Sequence, residues 1–306
     1  MTQAATDKSR APKTSRDWDL RAVAPFVALA LLLVLGAFAN PNFLSVDNLL
    51  NVITRSAFTA IIAVGATYVI TSGGLDLSVG AMLAFVASIM IMFMNSGVIA
   101  DPLLMLIAGM ALAVVIGALC GLANGLITTL GRIEPFIATL GTMGIFRGLT
   151  TQLSQGGAIT LRNSELQSLY RPVYFGSVLG VPVPIIVIFV TAAVAAFVLY
   201  RTRYGRHLMA VGSSEDVARY SGISVGRVRT IAYIVQGICV AVAVLLYVPR
   251  LGSTSATTGL MWELQAITAV VVGGTALRGG VGRIWGTVCG AFILEIIGNI
   301  MLLSNF

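Results

Sequence analysis

The segment Thr71-Ser72-Gly73-Gly74-Leu75-Asp76-Leu77-Ser78-Val79-Gly80 sets one carboxylate among glycines and hydroxyls, inside a stretch from Ala30 to Leu130 whose only other charges are Asp47, Arg55 and Asp101. An ionised carboxylate at the centre of a bilayer helix costs roughly 2.5 to 3.5 kcal/mol, so Asp76 is expected at a helix end, in a cavity or at a helix contact. Its plainest role is a helix cap. Arg55, Arg147 and Glu263 also fall inside apolar runs and need partners for the same reason. The usual ingredients of catalysis are missing. His207 is the one histidine and lies in a basic loop, no nucleophile or metal-ligand motif occurs, and Cys120, Cys239 and Cys289 sit in apolar runs without pairing or ligand spacing. A P-loop for ATP needs a lysine after its glycines, and the last lysine is Lys13.

The elements that carry these groups have to be membrane helices. Of 306 residues, 57% are hydrophobic and 10% charged, and the mean hydropathy is +0.94, whereas a water-soluble domain needs a far more polar surface. The net charge of +7 comes largely from short loops between apolar spans, which is how membrane orientation is encoded, so no nucleic-acid partner is implied. Residues 1–21 are polar and basic, lack a cleavage site close behind the first apolar run, and read as a cytoplasmic tail. Residues 22–306 form the membrane domain.

Apolar runs predict helices over Ala22–Ala39, Leu49–Thr71, Ser78–Met94, Leu103–Leu130, Pro135–Leu153, Val183–Tyr200, Thr230–Val248, Leu264–Ala276 and Ile284–Leu303. That is an all-α integral membrane protein with about nine crossings. Leu264–Ala276 is short for a full span, and Leu103–Leu130 is long enough to be tilted or broken at a glycine. With the tail inside, fourteen lysines and arginines fall on the cytoplasmic side, and only Arg162, Arg171 and Arg250 fall outside. This bias supports the parity of the count. Two stripes with a spacing of four, Gly117/Gly121/Gly125 and Gly282/Gly286/Gly290, predict close helix packing. Gly73-Gly74-Leu75 has a weak echo in Gly273-Gly274-Thr275, each ending an apolar span.

The loop over residues 201–229 is the longest on the inside. Within it Ser213-Ser214-Glu215-Asp216-Val217-Ala218-Arg219-Tyr220-Ser221-Gly222 reads as a short helix, with Ser213 or Ser214 as its cap, acids in its first turn and Gly222 at its end. Such a helix is either a solvated connector or a docking element for a soluble partner.

Together Gly73–Gly80, Pro135-Phe136-Ile137-Ala138-Thr139-Leu140-Gly141-Thr142-Met143, Arg201-Thr202-Arg203-Tyr204-Gly205-Arg206, and Gly273-Gly274-Thr275 with Gly279-Gly280-Val281-Gly282-Arg283-Ile284-Trp285-Gly286 resemble the ribose-type family of bacterial ABC sugar permeases over nearly the whole chain. The resemblance implies a permease fold of the type II importer kind in the inner membrane. It also implies a second permease copy or paralogue, a periplasmic sugar-binding protein, and a cytoplasmic ATPase that holds the ATP and Mg, this chain needing no cofactor. The docking residues it implies are Ser213, Glu215, Asp216, Val217, Ala218, Arg219 and Gly222, with Asp216 and Val217 standing where glutamate and alanine are commoner. Members of the family usually continue past the position of Phe306 with a further apolar helix, giving about ten crossings.

Topology puts Arg55, Arg147 and Glu263 in the outer part of the membrane, where they either neutralise one another or line the mouth of a path and exchange hydrogen bonds with sugar hydroxyls. Asn124, Thr139 and Thr142 are milder candidates for that path. Asp76 falls near the cytoplasmic end and is expected to pair with Arg278 or Arg283 as a gate. A branched-chain amino-acid permease shares the architecture, and an ATP-independent channel is the alternative from another class.

Overall fold

A backbone in hydrocarbon has to satisfy its own N–H and C=O groups, so each expected apolar run becomes a helix. The computed structural model describes residues 20–304; the expected tail, but for the backbone of its last two residues, lies outside the described residues, as do Asn305 and Phe306. The helices are α1 (Leu20–Ala39), α2 (Val46–Arg55), α3 (Ala57–Thr71), α4 (Val79–Asn95), α5 (Pro102–Thr129), α6 (Pro135–Ser154), α7 (Ser164–Tyr170), α8 (Pro172–Phe175), α9 (Val183–Arg201), α10 (Arg203–Ser213), α11 (Glu215–Tyr220), α12 (Val225–Leu251), α13 (Trp262–Val272) and α14 (Ile284–Leu303). Two short antiparallel pairs accompany them: β1 (Ala158–Thr160) with β4 (Ser253–Ser255), and β2 (Ser177–Val178) with β3 (Val181–Pro182).

Among the described residues α5, α9, α12 and α14 are long and apolar enough to cross a membrane, and α2 with α3 reaches that length and apolarity only as a pair bent by 46°. The other helices on the expected runs are shorter or more polar. The break falls in Leu49–Thr71 rather than in the long α5, which runs unbroken for 28 residues, about 42 Å. Its cause is local. Asp47, Asn48, Asn51 and Arg55 give α2 a polar face that suits an interface, and the Ser56 hydroxyl donates to the Ile53 carbonyl at 2.7 Å where the helix turns. α13 also ends four residues earlier than expected, at Val272, because the chain turns through Gly274 at φ +84°.

Every residue of α3 except Thr59 is buried, so it forms the axis around which α9, α12, α13 and α14 pack. The bundle has two distinct ends. One gathers the basic loops: the Gly280 amide donates to the Thr71 carbonyl at 2.9 Å, and the Tyr204 hydroxyl to the Val228 carbonyl at 3.1 Å. The other gathers Asn40 with Leu303, Asn48 with Asn299, and Asn95 with Thr160 and Arg162.

Both glycine stripes sit at close helix contacts. Gly117, Gly121 and Gly125 lie against Gly237, Tyr233 and Thr230 of α12, and a Cβ on Gly121 would stand 3.0 Å from Ile234 Cα and closer still to the Tyr233 backbone. Gly286 and Gly290 lie against Gly273 and Ala269, but Gly282 precedes α14 and packs on Thr71 instead, so the second stripe is a pair. The echo between the two halves holds with a shift of one residue: Gly73 and Gly274 both have φ above +80° and both donate to the carbonyl three residues back at 2.9 Å. Each follows a helix, the almost wholly buried α3 and the partly exposed α13, and starts a loop into the next.

Pro249 lies inside α12 and has no N–H for the Leu245 carbonyl. The Tyr170 hydroxyl donates to that carbonyl at 2.9 Å, and Tyr170 is fully buried. Tyr170→Phe is therefore expected to lower thermal stability in detergent by about 1 kcal/mol, and to cost much less in a Pro249→Ala background, a double-mutant cycle that equal losses in both backgrounds would contradict. Gly121→Ala should destabilise by roughly 1 to 3 kcal/mol, whereas Gly298→Ala, with open space around it, should be neutral or stabilising.

Candidate functional site

The loop that follows α3 is the centre of the site. Helix α3 ends because Gly73 turns at φ +82°, and the chain then passes through Leu75, Asp76 and Leu77 to start α4 at Val79. A non-helical stretch inside a membrane bundle is tolerated only where protein satisfies it. Here three neighbouring helices supply partners to the loop. The Tyr233 hydroxyl donates to the Leu75 carbonyl at 3.2 Å, and the Leu77 amide donates to Thr139 Oγ1 at 3.2 Å. Asp76 Oδ1 accepts from the Ser78 amide at 2.8 Å and from Ser78 Oγ at 2.7 Å. Asn124 Nδ2 donates to Ser78 Oγ at 2.8 Å and reaches both Asp76 oxygens at 3.4 to 3.5 Å. Asp76 therefore closes an Asx-type turn on Ser78, the residue before α4, and is joined to α5 through Asn124, while Thr139 joins the same loop to α6.

The expected ion pair of Asp76 with Arg278 or Arg283 does not form. Asp76 is only 4% exposed and its hydrogen bonds come from Ser78 and Asn124. Asn124 and Thr139, expected along a polar path, are fully buried and engaged with this loop, and Thr142 is 5% exposed with its hydroxyl donating to the Thr139 carbonyl at 3.2 Å.

The three outer charges are not gathered into one cluster. Arg147 Nη1 donates to the carbonyls of Ala256, at 2.6 Å, and Thr258, and Glu263 is the acid within its electrostatic reach. The Glu263 carboxylate lies beside Gly80, where a Cβ would come within 2.9 Å of its oxygen. Glu295 is the acid within electrostatic reach of both Arg55 and Arg250. Arg250 stacks over Phe58 at 5.3 Å and over Tyr174 at 5.4 Å, in a cluster completed by Tyr247 and Trp262. Sequence reading missed Arg250, Glu295 and these aromatics, because ring contacts across four helices leave no local spacing.

At the basic end the loop over residues 201–229 holds two short helices rather than one. Ser213 closes α10 and donates to the Met209 carbonyl, so Ser214 alone caps α11, accepting from the Val217 amide at 3.4 Å. Gly222 follows α11 at φ +77°. Ala218 is buried under the helix, while Val217 and Tyr220 point outward at 63% and 91% exposure. Asp216 lies in the first turn. Glu215 makes both salt bridges found among the described residues, to Arg219 at 2.7 Å and to Arg229 at 2.8 Å. Between α11, the α5–α6 loop and Gly73-Gly74 opens a cleft of about 660 Å³, lined by Arg132, Glu134, Glu215 and Tyr233 among others. Tyr220 and Arg229 were not singled out from sequence, although an exposed aromatic two residues before Gly222 was a signal available there.

Residues 48–304 match the family model described as branched-chain amino acid transport system / permease component. The ribose import permease protein of Haemophilus influenzae is 40% identical over 280 residues, 92% of this chain and 85% of that protein. That of Bacillus subtilis is 40% identical over 284 residues, with the same coverage of both chains. A D-allose transport system permease protein of Escherichia coli is 33% identical, over 90% of this chain and 81% of its own length.

If Asp76 and Asn124 act as one unit, Asp76→Ala leaves two donors of Ser78 unanswered and is expected to cost about 1 to 3 kcal/mol, with Asn124→Ala adding little on top. Thermal melts of the two single variants and the double variant check this, and simple additivity would contradict it.

Proposed function

The chain belongs to this permease family, and from that premise we propose that it is the membrane-spanning subunit of a binding-protein-dependent ABC importer for ribose or a similar monosaccharide. The observation that carries the reading is α11: a short capped helix at the basic end whose Val217 and Tyr220 side chains stand clear of the bundle. Exposed apolar groups on a charged helix suit a cleft in a soluble partner. The ribose import permeases, at 37 to 40% identity, and the allose relative support a sugar over an amino acid. The excess of arginine at the end that carries α11 supports a cytoplasmic placement of that end in an inner membrane.

In this reading the engine is a separate ATPase, which binds ATP and Mg and docks on Asp216, Val217 and Tyr220. Two permease subunits enclose the path, and a periplasmic binding protein delivers the sugar. Closure of the ATPases moves α11, and the bundle exchanges an outward-open for an inward-open arrangement. Asp76, Asn124, Thr139 and Thr142 hold the inner loop that has to move. Arg147 and Glu263 offer a donor and an acceptor to sugar hydroxyls beside the ends of α4 and α13.

Co-expression with the neighbouring ATPase and binding protein, followed by reconstitution, tests this directly. Uptake of D-ribose that requires ATP and is not competed by leucine is the expected result; leucine uptake, or flux without nucleotide, would contradict it. Tyr220→Ala and Val217→Asp should each weaken co-purification of the ATPase by on the order of tenfold while leaving the extracted permease monodisperse.

A further inference from the structure

Arg229, on the first turns of α12, holds the ends of two other helices at once. Its Nη1 lies 2.8 Å from Glu215 Oε2 in the first turn of α11, and its Nε donates at 3.3 Å to the Ser72 carbonyl, where α3 ends. Both contacts are favourable, because a cation is stabilised at a helix C-terminus and a guanidinium offers donors in a fixed fork. A lysine ammonium, being one point charge, does not reproduce that geometry. Arg219 also pairs with Glu215, but its side chain is 66% exposed, an ordinary surface pair of little weight, whereas Arg229 is 26% exposed and reaches into the bundle.

Ser72 opens the loop that contains Asp76. Downstream of it the loop is tied to α12 through Tyr233, to α6 through Thr139 and to α5 through Asn124. We propose that Arg229 is the positioning residue that links α11 to this loop, so that movement of α11 draws the segment from Ser72 to Ser78 with it. The inference deepens the importer reading above and rests on it. A second mechanical route exists, in which Gly212 at the end of α10 packs on the backbone of Thr71 and Gly280. Substitution at residue 229 leaves that backbone contact in place, so the two routes are separable.

The test uses the full complex in proteoliposomes, with ATPase co-purification, basal ATP hydrolysis and ribose taken up per ATP as readouts. Arg229→Lys should retain the ATPase and the basal rate but lower uptake per ATP by on the order of tenfold. Glu215→Ala, at a partly exposed position, cuts the same link from the other side and should also lower uptake per ATP. Wild-type uptake per ATP in either variant overturns the proposal. Loss of the ATPase from the Arg229→Lys complex also overturns it, since Arg229 would then belong to the docking face. A wild-type complex that binds no ATPase defeats the importer reading itself, an outcome visible before any variant is made.

Discussion

Hydrocarbon offers no partner to a free carbonyl or amide, and that one constraint decides most of what is seen in this bundle. Several interruptions of the helical ladder are answered by a specific group from another segment. The Tyr170 hydroxyl reaches the Leu245 carbonyl released by Pro249, the Gly280 amide reaches Thr71, and the Arg229 guanidinium reaches Ser72. Two buried hydroxyls are answered in the same way, with Tyr68 donating to the Ala195 carbonyl and Thr67 paired with Thr287 at 2.9 Å. Interruptions are therefore tolerated only at contacts, and the contacts fix which helices are neighbours.

The two interruptions after α3 and after α13 follow one plan. Each helix is followed within two residues by a glycine in the left-handed region, then by an irregular loop and a new helix. Gly80 and Gly259 come together where α4 and the segment before α13 meet, too close for a Cβ on Gly80. The carboxylate of Glu263 is beside them, with Arg147 in electrostatic reach. This arrangement brings the starts of two broken helices and a pair of opposite charges to one place, which is where membrane transport proteins commonly expose polar groups to a solute.

Much of the scaffold was legible in the sequence, because a run of apolar residues of the right length has few alternatives in lipid. The glycine stripes told which faces approach closely, and the arginine bias separated the two ends. What was not legible depended on long-range pairing. The break at Ser56 required noticing that Asp47, Asn48, Asn51 and Arg55 share a face, and the partners of Asp76 turned out to be Ser78 and Asn124 rather than arginines from another loop. Asn124 and Thr139 were read as milder polar candidates for a path, but both bond to a loop 46 to 64 residues earlier in the chain. The aromatic cage around Arg250 and the link through Arg229 join residues with no shared periodicity at all.

The proposed mechanism turns on α11 standing on the cytoplasmic face, with Val217 and Tyr220 exposed for a soluble ATPase to grip. With Cys120, Cys239 and Cys289 all buried, a single Tyr220→Cys substitution provides an exposed thiol at that point. Labelling with a membrane-impermeant maleimide should occur in inside-out vesicles and not in intact cells with a permeabilised outer membrane. Labelling from the outer surface of intact cells would contradict the orientation and, with it, the route by which force enters the bundle.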